Sequence, residues 1–462
     1  MMNNQPAVSA IITAYNCEKY IDEALESLER QTFRDFEVIL VDDGSTDRTR
    51  EHMQDFATRH PEIKVQVVTG DNGGAGKARN TGMQYATGMY WIFMDADDIY
   101  EPDFLRELYT GCTENHAQIS VVHSRQLDVS TNTLLDKDES VTSQFIPNSN
   151  PFSPREEAGD VLFCALRGWA WDKLILADLI RENHLSFMEI RTSNDLTFTY
   201  LALACADRVY VCDYCGYTYR VNNSQSVSGS RIRYWDAFFQ AMKELQSQLQ
   251  ERGLYSIYRN TYLNWASDFI CWQIMSLPIS EAQYRKYTLL HDQGIRDLDF
   301  SQLPKDRILY SFAWELVQTI ETKDYFTWIL EHQNTLEAQL RGNEGKIRQI
   351  NDALQQKEAA SHEMSKTITW QKEALEEKNN AVRSLGQQLE ALRQNCDVQQ
   401  RETDRLLEEN QSLQEECQNL QENCQGLQDT ITKIRNSATW KLGNALLYLP
   451  KKIRDRKIRN QN

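Results

Sequence analysis

Tyr90-Trp91-Ile92-Phe93-Met94-Asp95-Ala96-Asp97-Asp98 joins five large apolar residues directly to an acidic segment. A short, continuous apolar run is typical of a strand that is buried on both faces in a parallel α/β sheet. Such sheets place their ligand sites just beyond the carboxyl ends of the strands. We therefore expect Asp95 and Asp97 to share a loop that suits Mg²⁺ or Mn²⁺, with substrate phosphates completing the coordination. A solvated acidic turn before a helix is the alternative for so short a motif.

Composition bounds the class of protein. The 462 residues are enough for two or three domains, and the net charge of −17 disfavours general nucleic-acid binding. The sequence contains no run of 18 apolar residues, so no transmembrane helix is predicted. Residues 1–6 are polar and lack the apolar core of a signal peptide. The ten cysteines are scattered, which favours a reduced, cytosolic setting. Cys212 and Cys215 have the spacing of a metal or redox pair, but without a second pair nearby ordinary core cysteines are the favoured interpretation.

Strand-like and helix-like segments alternate through the first hundred residues. Apolar runs predict strands at 7–13, 36–41, 65–68 and 90–94, and helical spacing occurs at 20–28 and 47–58. This alternation predicts a doubly wound, mostly parallel sheet.

Polar clusters follow these strands and are expected to meet at one edge of the sheet, where nucleotides bind. Asp43 could accept a hydrogen bond from a base, and Lys77 and Arg79 on one helix could neutralise phosphates. The glycine-rich loop at 70–76 has the spacing of neither the Walker phosphate loop nor the dinucleotide fingerprint. This disfavours an ATPase or a dehydrogenase.

Five motifs occur in the order seen in one enzyme family. They are residues 8–16 (VSAIITAYN), 31–33 (QTF), 41–47 (VDDGSTD), 78–80 (ARN) and 95–98 (DADD). In this order and spacing they resemble the family 2 glycosyltransferases of the GT-A fold, which use nucleotide-diphosphate sugars, most often UDP-sugars. The resemblance implies that Thr13, Tyr15 and Asp43 lie around the base and Arg79 near the diphosphate. It also implies that Asp95 and Asp97 engage the ribose and the metal.

Residues 101–230 continue the resemblance more loosely. Asp195 follows Asn194 at the place where the family usually carries Glu-Asp, which implies that Asp195 is the general base and that its tuning differs. Trp169 and Trp171 are either an acceptor platform that stacks on sugar rings or ordinary core residues. Lys173, next to these indoles, and Arg220, in a segment resembling the loop that closes over the donor, are possible donor or acceptor contacts.

The C-terminal half has no strand pattern. We predict a helical domain at 231–330 and a coiled coil at 333–436, because one heptad frame runs for about 14 heptads without proline. Asn410 at an a position favours a dimer, and the rod would be on the order of 150 Å long. The tail at 437–462 combines Trp440 and leucines with a basic cluster, which fits either a membrane surface or a protein-docking segment.

The sequence therefore predicts a GT-A catalytic domain at 1–230 followed by these three elements. Together with the resemblance, it favours an inverting, metal-dependent glycosyltransferase that builds a bacterial surface glycan on a lipid-linked acceptor. The expected setting is cytoplasmic and peripheral, at the inner face of the cell membrane. A protein glycosyltransferase and an inactive coiled-coil scaffold are the alternatives.

Overall fold

The computed structural model describes residues 5–135, 138, 140–221, 231–376, 393–394, 397–402 and 404–405. They fall into two units. Residues up to 277 together with 281–322 form the first compact unit, and the described residues from 323 onward, with 278–280, belong to the second. The described part of the predicted catalytic domain and most of the predicted helical domain thus lie in the first unit, whereas residues 278–280 and 323–330 belong to the second. All the described strands lie in the first unit.

A parallel block forms the first half of the sheet. Its strands are β1 (Val8–Ala14), β2 (Phe36–Asp42), β3 (Lys64–Thr69) and β4 (Tyr90–Asp95), in the order β3-β2-β1-β4. Helices α1 (Ile21–Glu29), α2 (Thr49–Arg59) and α3 (Ala75–Met83) connect them. Every residue of β2 is buried, as expected for a mainly apolar strand of a parallel sheet. Glu37, a polar residue within this strand, accepts a hydrogen bond from the hydroxyl of Ser9 at 2.7 Å. Thr13 pairs in register with both Val41 and Asp95, so the carboxyl ends of three strands meet at one level.

The second half makes the sheet a mixed one. Its strands are β5 (Ile99–Tyr100), β6 (Ile119–Asp128), β7 (Thr133–Leu135), β8 (Lys173–Leu176) and β9 (Val209–Val221). β8 pairs antiparallel with β4 and β6, β9 runs parallel to β6, and β5 pairs antiparallel with β9. Helices α4 (Phe104–Glu114), α5 (Leu162–Ala165), α6 (Ala177–Glu182) and α7 (Leu196–Cys205) lie between these strands in sequence. The predicted α/β class is confirmed, with a larger antiparallel share than the alternation predicted.

Cys212 and Cys215 lie within β9 and form no disulfide. Burial raises the pKa of the Cys212 thiol to about 12, so this thiol stays protonated near neutral pH. These observations support the interpretation as core cysteines rather than a redox pair.

The helical region follows β9 and packs on the sheet unit. It contains α8 (Ala237–Glu251), α9 (Tyr255–Met275), α10 (Glu281–Leu289), α11 (Ile295–Leu298) and α12 (Ser311–Thr322). The buried hydroxyl of Tyr258 donates to the carbonyl of Ala204 at 3.1 Å, and the backbone N–H of Phe163 donates to the hydroxyl of Thr261 at 2.8 Å. These bonds attach α9 to the ends of α5 and α7, which fixes the helical region next to the site described below.

In the second unit, one long helix α13 (Tyr325–Glu376) covers the first part of the predicted coiled coil. The side-chain amide of Gln399 lies 3.2 Å from the sulfur of Met364, and the heptad frame places both at d positions. One uninterrupted helix would separate them by about 50 Å. The described residues around Gln399 therefore lie beside α13, and the coiled coil stays a prediction. The remainder of the predicted coiled coil and the tail at 437–462 lie outside the described residues.

Within the described part of the chain, no helix combines the length and the apolar character that crossing a membrane requires.

Candidate active site

The loop after β3 is held by the carboxylate that follows β2. The two oxygens of Asp43 accept the backbone N–H groups of Gly73 and Gly74, each at 2.8 Å. Gly74 has a φ of +93°, which disfavours any residue with a side chain. Asp43 is nearly buried and still lines the cavity, so it fixes the loop and keeps acceptor capacity for a ligand.

Arg79 on α3 connects two parts of the site. One terminal nitrogen donates to Asp95 at 2.7 Å, and the other donates to the side-chain oxygen of Asn194 at 2.7 Å. Its guanidinium lies 5.3 Å from the centre of the Phe187 ring. The buried Nε–H has no acceptor among the described residues. Arg79 is therefore rigidly held between the end of β4 and the loop before α7.

Asn80, the third residue of the 78–80 motif, has a structural role next to Arg79. The amide of Asn80 donates to the Phe187 carbonyl at 2.9 Å and accepts the Phe187 N–H at 2.8 Å. A Cβ on Gly76 would lie 2.0 Å from the Met188 carbonyl oxygen, so this close approach requires glycine. The helix and the loop before Asn194 are thus fastened together.

The three carboxylates after β4 have different environments. Asp95 pairs with Arg79, and both Asp95 and Asp97 line the cavity. Asp98 is buried and accepts hydrogen bonds from the Tyr217 hydroxyl at 2.6 Å and the Arg220 N–H at 2.8 Å. Burial raises the pKa of Asp98 well above its usual range, and the charges of Asp97 and Asp95 add to the shift. Asp98 therefore joins β9 to the acidic turn, and the other two face the ligand space.

Asp195 lies immediately before α7, on the wall of the same cavity. Burial raises the pKa of its carboxyl, while the positive charge of Arg79 opposes that shift. A carboxylate with a raised pKa is a stronger base than an ordinary aspartate, which suits it to accept a proton. The position that the sequence assigned to the base thus faces the same space as Asp95 and Asp97.

These residues line one cavity of about 630 Å³. Its strand end is formed by the carboxyl ends of β1, β2 and β4, with Thr13, Asp43, Arg79, Asp95 and Asp97. Tyr15, 49% exposed, also lies there. The predicted donor-binding residues are therefore brought together by the sheet.

An aromatic cluster lies on the cavity wall near Asp195. Trp169 and Trp171 stack with ring centres 4.7 Å apart, and Trp171 stacks on Tyr217 at 4.1 Å. Trp171 is a core residue with 4% exposure, whereas Trp169 is only partly buried. The burial of Trp171 is that of a core residue. Trp169 and Tyr219 line the cavity and offer ring surface to it, as an acceptor platform requires.

Two of the predicted contact residues are placed differently from the others. Lys173 is fully buried, does not line the cavity, and donates to Asp172 at 2.6 Å and to two backbone carbonyls. Arg220 is also buried and donates to the Asp97 carbonyl at 2.8 Å and to the carboxylate of Glu23. These contacts favour positioning roles, for Lys173 beneath the indoles and for Arg220 beneath the acidic turn.

The structure replaces one predicted cation of the site and adds other residues. Lys77, predicted to neutralise phosphates, is exposed and does not line the cavity. Arg191, which the sequence analysis did not select, lines the cavity and donates to the Asn72 side chain. A second group of lining residues comes from the helical region and the segment before it, and is here called the helical end: Arg231, Arg233, Tyr234, Phe269, Trp272 and Gln273. No local motif marks these residues, because they come from the segment before α8 and from the face of α9.

The donor set at the strand end fits a hard divalent cation. Among the described residues, no group of three or more His, Cys, Asp or Glu is placed to hold an ion by itself. Two carboxylates that face one cavity do match Mg²⁺ or Mn²⁺ in sites where substrate phosphates supply further oxygens. Asp95 and Asp97 are the residues that would hold the ion.

Comparison with known proteins identifies the family of the domain that contains most of the sheet. Residues 9–165 match the model of Glycosyl transferase family 2. These residues form a family 2 glycosyltransferase domain. The family predicted from the motifs is confirmed, and with it the enzyme class.

Bacterial glycosyltransferases are among the relatives of this chain. It is 29% identical over 258 residues to EpsH of Bacillus subtilis, named as a glycosyltransferase, covering 55% of this chain and 72% of EpsH. It is 27% identical over 261 residues to the poly(ribitol-phosphate) beta-N-acetylglucosaminyltransferase TarS of Staphylococcus aureus, covering 55% of this chain and 42% of TarS. Less than half of TarS is therefore represented in this match.

A solved structure shares the fold. Residues 1–349 of S. aureus TarS in complex with UDP-GlcNAc match with a TM-score of 0.51 and 24% identity, over 63% of this chain and 81% of that chain. The first unit of this chain thus has the α/β architecture of a GT-A-type enzyme.

Proposed function

We propose that this protein transfers a sugar from a nucleotide-diphosphate sugar, in the first instance a UDP-sugar, to a hydroxyl group of a surface-glycan acceptor with inversion of the anomeric carbon. One observation carries the proposal. Arg79 bridges Asp95 to Asn194, so the residues at the strand end and Asp195 lie around one space. This arrangement provides a cationic group for a leaving diphosphate and a carboxylate for an attacking hydroxyl.

The strand end is the part of the cavity suited to the nucleotide. Asp43 can accept from a base N–H, and Tyr15 offers a half-exposed ring beside it. Arg79 and Arg191 line the same space and can neutralise phosphate oxygens. The choice of UDP is supported by the UDP-GlcNAc that the TarS structure contains.

The chemistry follows from the single base. Asp195 accepts the proton of the acceptor hydroxyl as its oxygen bonds to the anomeric carbon, and the bond from that carbon to the diphosphate oxygen breaks. The nucleoside diphosphate leaves with the electron pair, facing the charge of Arg79. A direct displacement of this kind inverts the anomeric carbon, because no group of the enzyme attacks that carbon first.

A divalent cation held by Asp95 and Asp97 would offset the negative charge that builds up on the leaving diphosphate. The protein's own contribution is to hold these carboxylates in place. Arg79 orients Asp95, and Arg220 holds the backbone of Asp97. We therefore include a divalent metal in the proposal, because the carboxylates of Asp95 and Asp97 are both held in place at the cavity.

The acceptor is proposed to be a glycan of the bacterial surface, carried on a lipid. The name of TarS, a poly(ribitol-phosphate) beta-N-acetylglucosaminyltransferase, supports a polymeric acceptor. The basic tail at 437–462 would hold the enzyme at the inner face of the membrane, since basic residues near an anionic surface contribute about 1 kcal/mol each. Homodimerisation through the predicted coiled coil is part of the same proposal, and light scattering of the full chain against a 1–332 truncation tests it.

Donor binding is the first test of the proposed activity. The full chain with Mn²⁺ is screened for thermal stabilisation by UDP, GDP, ADP and a panel of UDP-sugars, and the donor that binds is then incubated without acceptor. We expect stabilisation by UDP that requires the metal, together with slow hydrolysis of one UDP-sugar. A chain that binds no nucleotide, or that binds UDP but cleaves no sugar nucleotide, contradicts the proposal.

A further inference from the structure

The helical end of the cavity has a chemistry opposite to that of the strand end. Its charged lining residues are Arg231 and Arg233, and the lining residues around them are uncharged. Neither arginine forms an ion pair among the described residues, although the chain as a whole carries a net charge of −17. The neighbouring sequence 222–230 contains no Asp or Glu. Among the described residues, these two cations on the cavity wall therefore have no carboxylate partner.

A third cation strengthens this positive region. Lys286 on α10 is buried, donates to the side chain of Gln273, and lies 4.8 Å from the centre of the Phe238 ring. Burial, together with the charge of Arg231, lowers the pKa of Lys286 to about 8, while the charge of Asp236 opposes the shift. Like charges that close together repel, so this region favours an anion.

Aromatic surface accompanies the cations. The guanidinium of Arg231 lies 4.5 Å from the centre of the Trp272 ring, and it also donates to the Ser276 carbonyl at 3.3 Å. Trp272 is 48% exposed and stacks with Phe269 at 6.0 Å. Stacking on the indole fixes the guanidinium plane beside the cavity and leaves other N–H groups available for a ligand.

We propose that the helical end is a subsite for a phosphate group carried by the acceptor chain, with Arg231 and Arg233 binding the phosphate and Trp272 lying against the adjoining sugar or polyol. The inference rests on the proposed function, because it assigns an acceptor to a cavity that Asp195 also lines. An arginine fork matches phosphate oxygens in a two-pronged geometry. The donor's own diphosphate is the competing source of phosphate, and the experiment separates the two.

The test uses the full chain with saturating UDP and Mn²⁺, so that the strand end is filled. Glucose 6-phosphate and glucose are titrated separately and followed by ligand-observed NMR. We expect the wild-type chain to bind the phosphorylated sugar at least about tenfold more tightly, the low end for hydrogen bonds to a charged group. The preference should fall as salt is raised.

Variants test whether the preference for the phosphorylated sugar depends on Arg231 and Arg233. In the double variant Arg231→Gln and Arg233→Gln the two sugars should bind equally, and in Arg233→Gln alone the preference should fall in part. Arg285→Gln is the matched control, because Arg285 is an exposed arginine of α10 that does not line the cavity. The control should keep the full preference.

Three outcomes overturn the inference. They are equal binding of the two sugars by wild type, an unchanged preference in the folded double variant, and a weakening of UDP binding rather than of phosphosugar binding in that variant. The last result assigns the arginines to the donor. UDP affinity and the melting temperature are measured first in the same samples. A wild-type chain that fails to bind UDP overturns the proposed function. The acceptor assignment, which rests on that function, is then overturned as well.

Discussion

The two ends of the cavity are built from different kinds of sequence. At the strand end, Thr13, Asp43 and Asp95 lie at or next to the last residues of neighbouring strands, and the register of the sheet sets their spacing. At the helical end, Arg231 precedes α8 and Trp272 lies on α9, and only the packing of helices brings them together.

The difference explains which end could be recognised from sequence. Parallel strands end at one edge, so polar residues that follow apolar runs predict a shared site. Helical residues that face a cavity follow the same spacing as residues that face the core. The strand end should therefore control the donor and the chemistry, and the helical end should control the acceptor, which the following predictions examine in order of expected effect.

The largest effect is expected for Asp97→Ala. Loss of the carboxylate should lower turnover by at least about 10³-fold, because a bound metal contributes several kcal/mol to the transition state. Metal-dependent binding of UDP should be lost while the melting temperature changes little. Asp71→Ala is the control, since Asp71 is exposed on the neighbouring loop and does not line the cavity. Full activity of Asp97→Ala, or of the wild type in excess EDTA, contradicts the metal assignment.

Asp195→Asn is expected to act on turnover and not on the donor. Removing the base should reduce turnover by at least about 10²-fold, with UDP affinity nearly unchanged. Burial raises the pKa of Asp195. As the pH is lowered, the wild-type enzyme should therefore lose activity at a higher pH than an enzyme whose base has an ordinary aspartate pKa. That acidic limb should disappear in the variant.

The control for this experiment is Asp207→Asn, which changes an exposed aspartate just beyond the other end of α7. It should behave as wild type. If Asp195→Asn instead abolishes UDP binding and keeps high residual turnover, the residue serves the donor side.

Sequence reasoning reached the positions of the site better than their contacts. Asp95 and Asp97 were predicted because they follow an apolar run, and Asp195 was predicted from the position of the Glu-Asp pair in the family that the sequence resembles. The bond from Arg79 to Asn194 spans 115 positions, and no spacing predicts it. Lys173 was selected because indoles flank it, yet it is buried against Asp172, because packing decides which face of a short strand reaches the cavity.

Asn194→Glu tests how that long-range contact tunes the base. A second carboxylate beside Asp195 should raise the pKa of Asp195 further and compete for Arg79. The acidic limb of the pH profile should therefore move to higher pH, with turnover at the plateau changing by less than about tenfold. Asn194→Gln, which adds the same length without charge, should leave the limb in place. An unchanged limb in Asn194→Glu contradicts the proposed coupling.

Trp272→Leu should have the smallest effect and addresses the helical end alone. The indole offers a face to a sugar ring whether or not that sugar carries phosphate, so binding of glucose and of glucose 6-phosphate should weaken alike. Aromatic contacts of about 0.5–1 kcal/mol correspond to a loss of roughly two- to fivefold. UDP affinity should stay within about twofold, because Trp272 lies on α9 and is not among the strand-end residues proposed to bind the donor. Phe312→Leu is the control, since Phe312 is an exposed aromatic residue of α12 outside the cavity. A weakening confined to the phosphosugar would show that Trp272 acts only by holding Arg231, and a weakening of UDP would remove the distinction between the two ends.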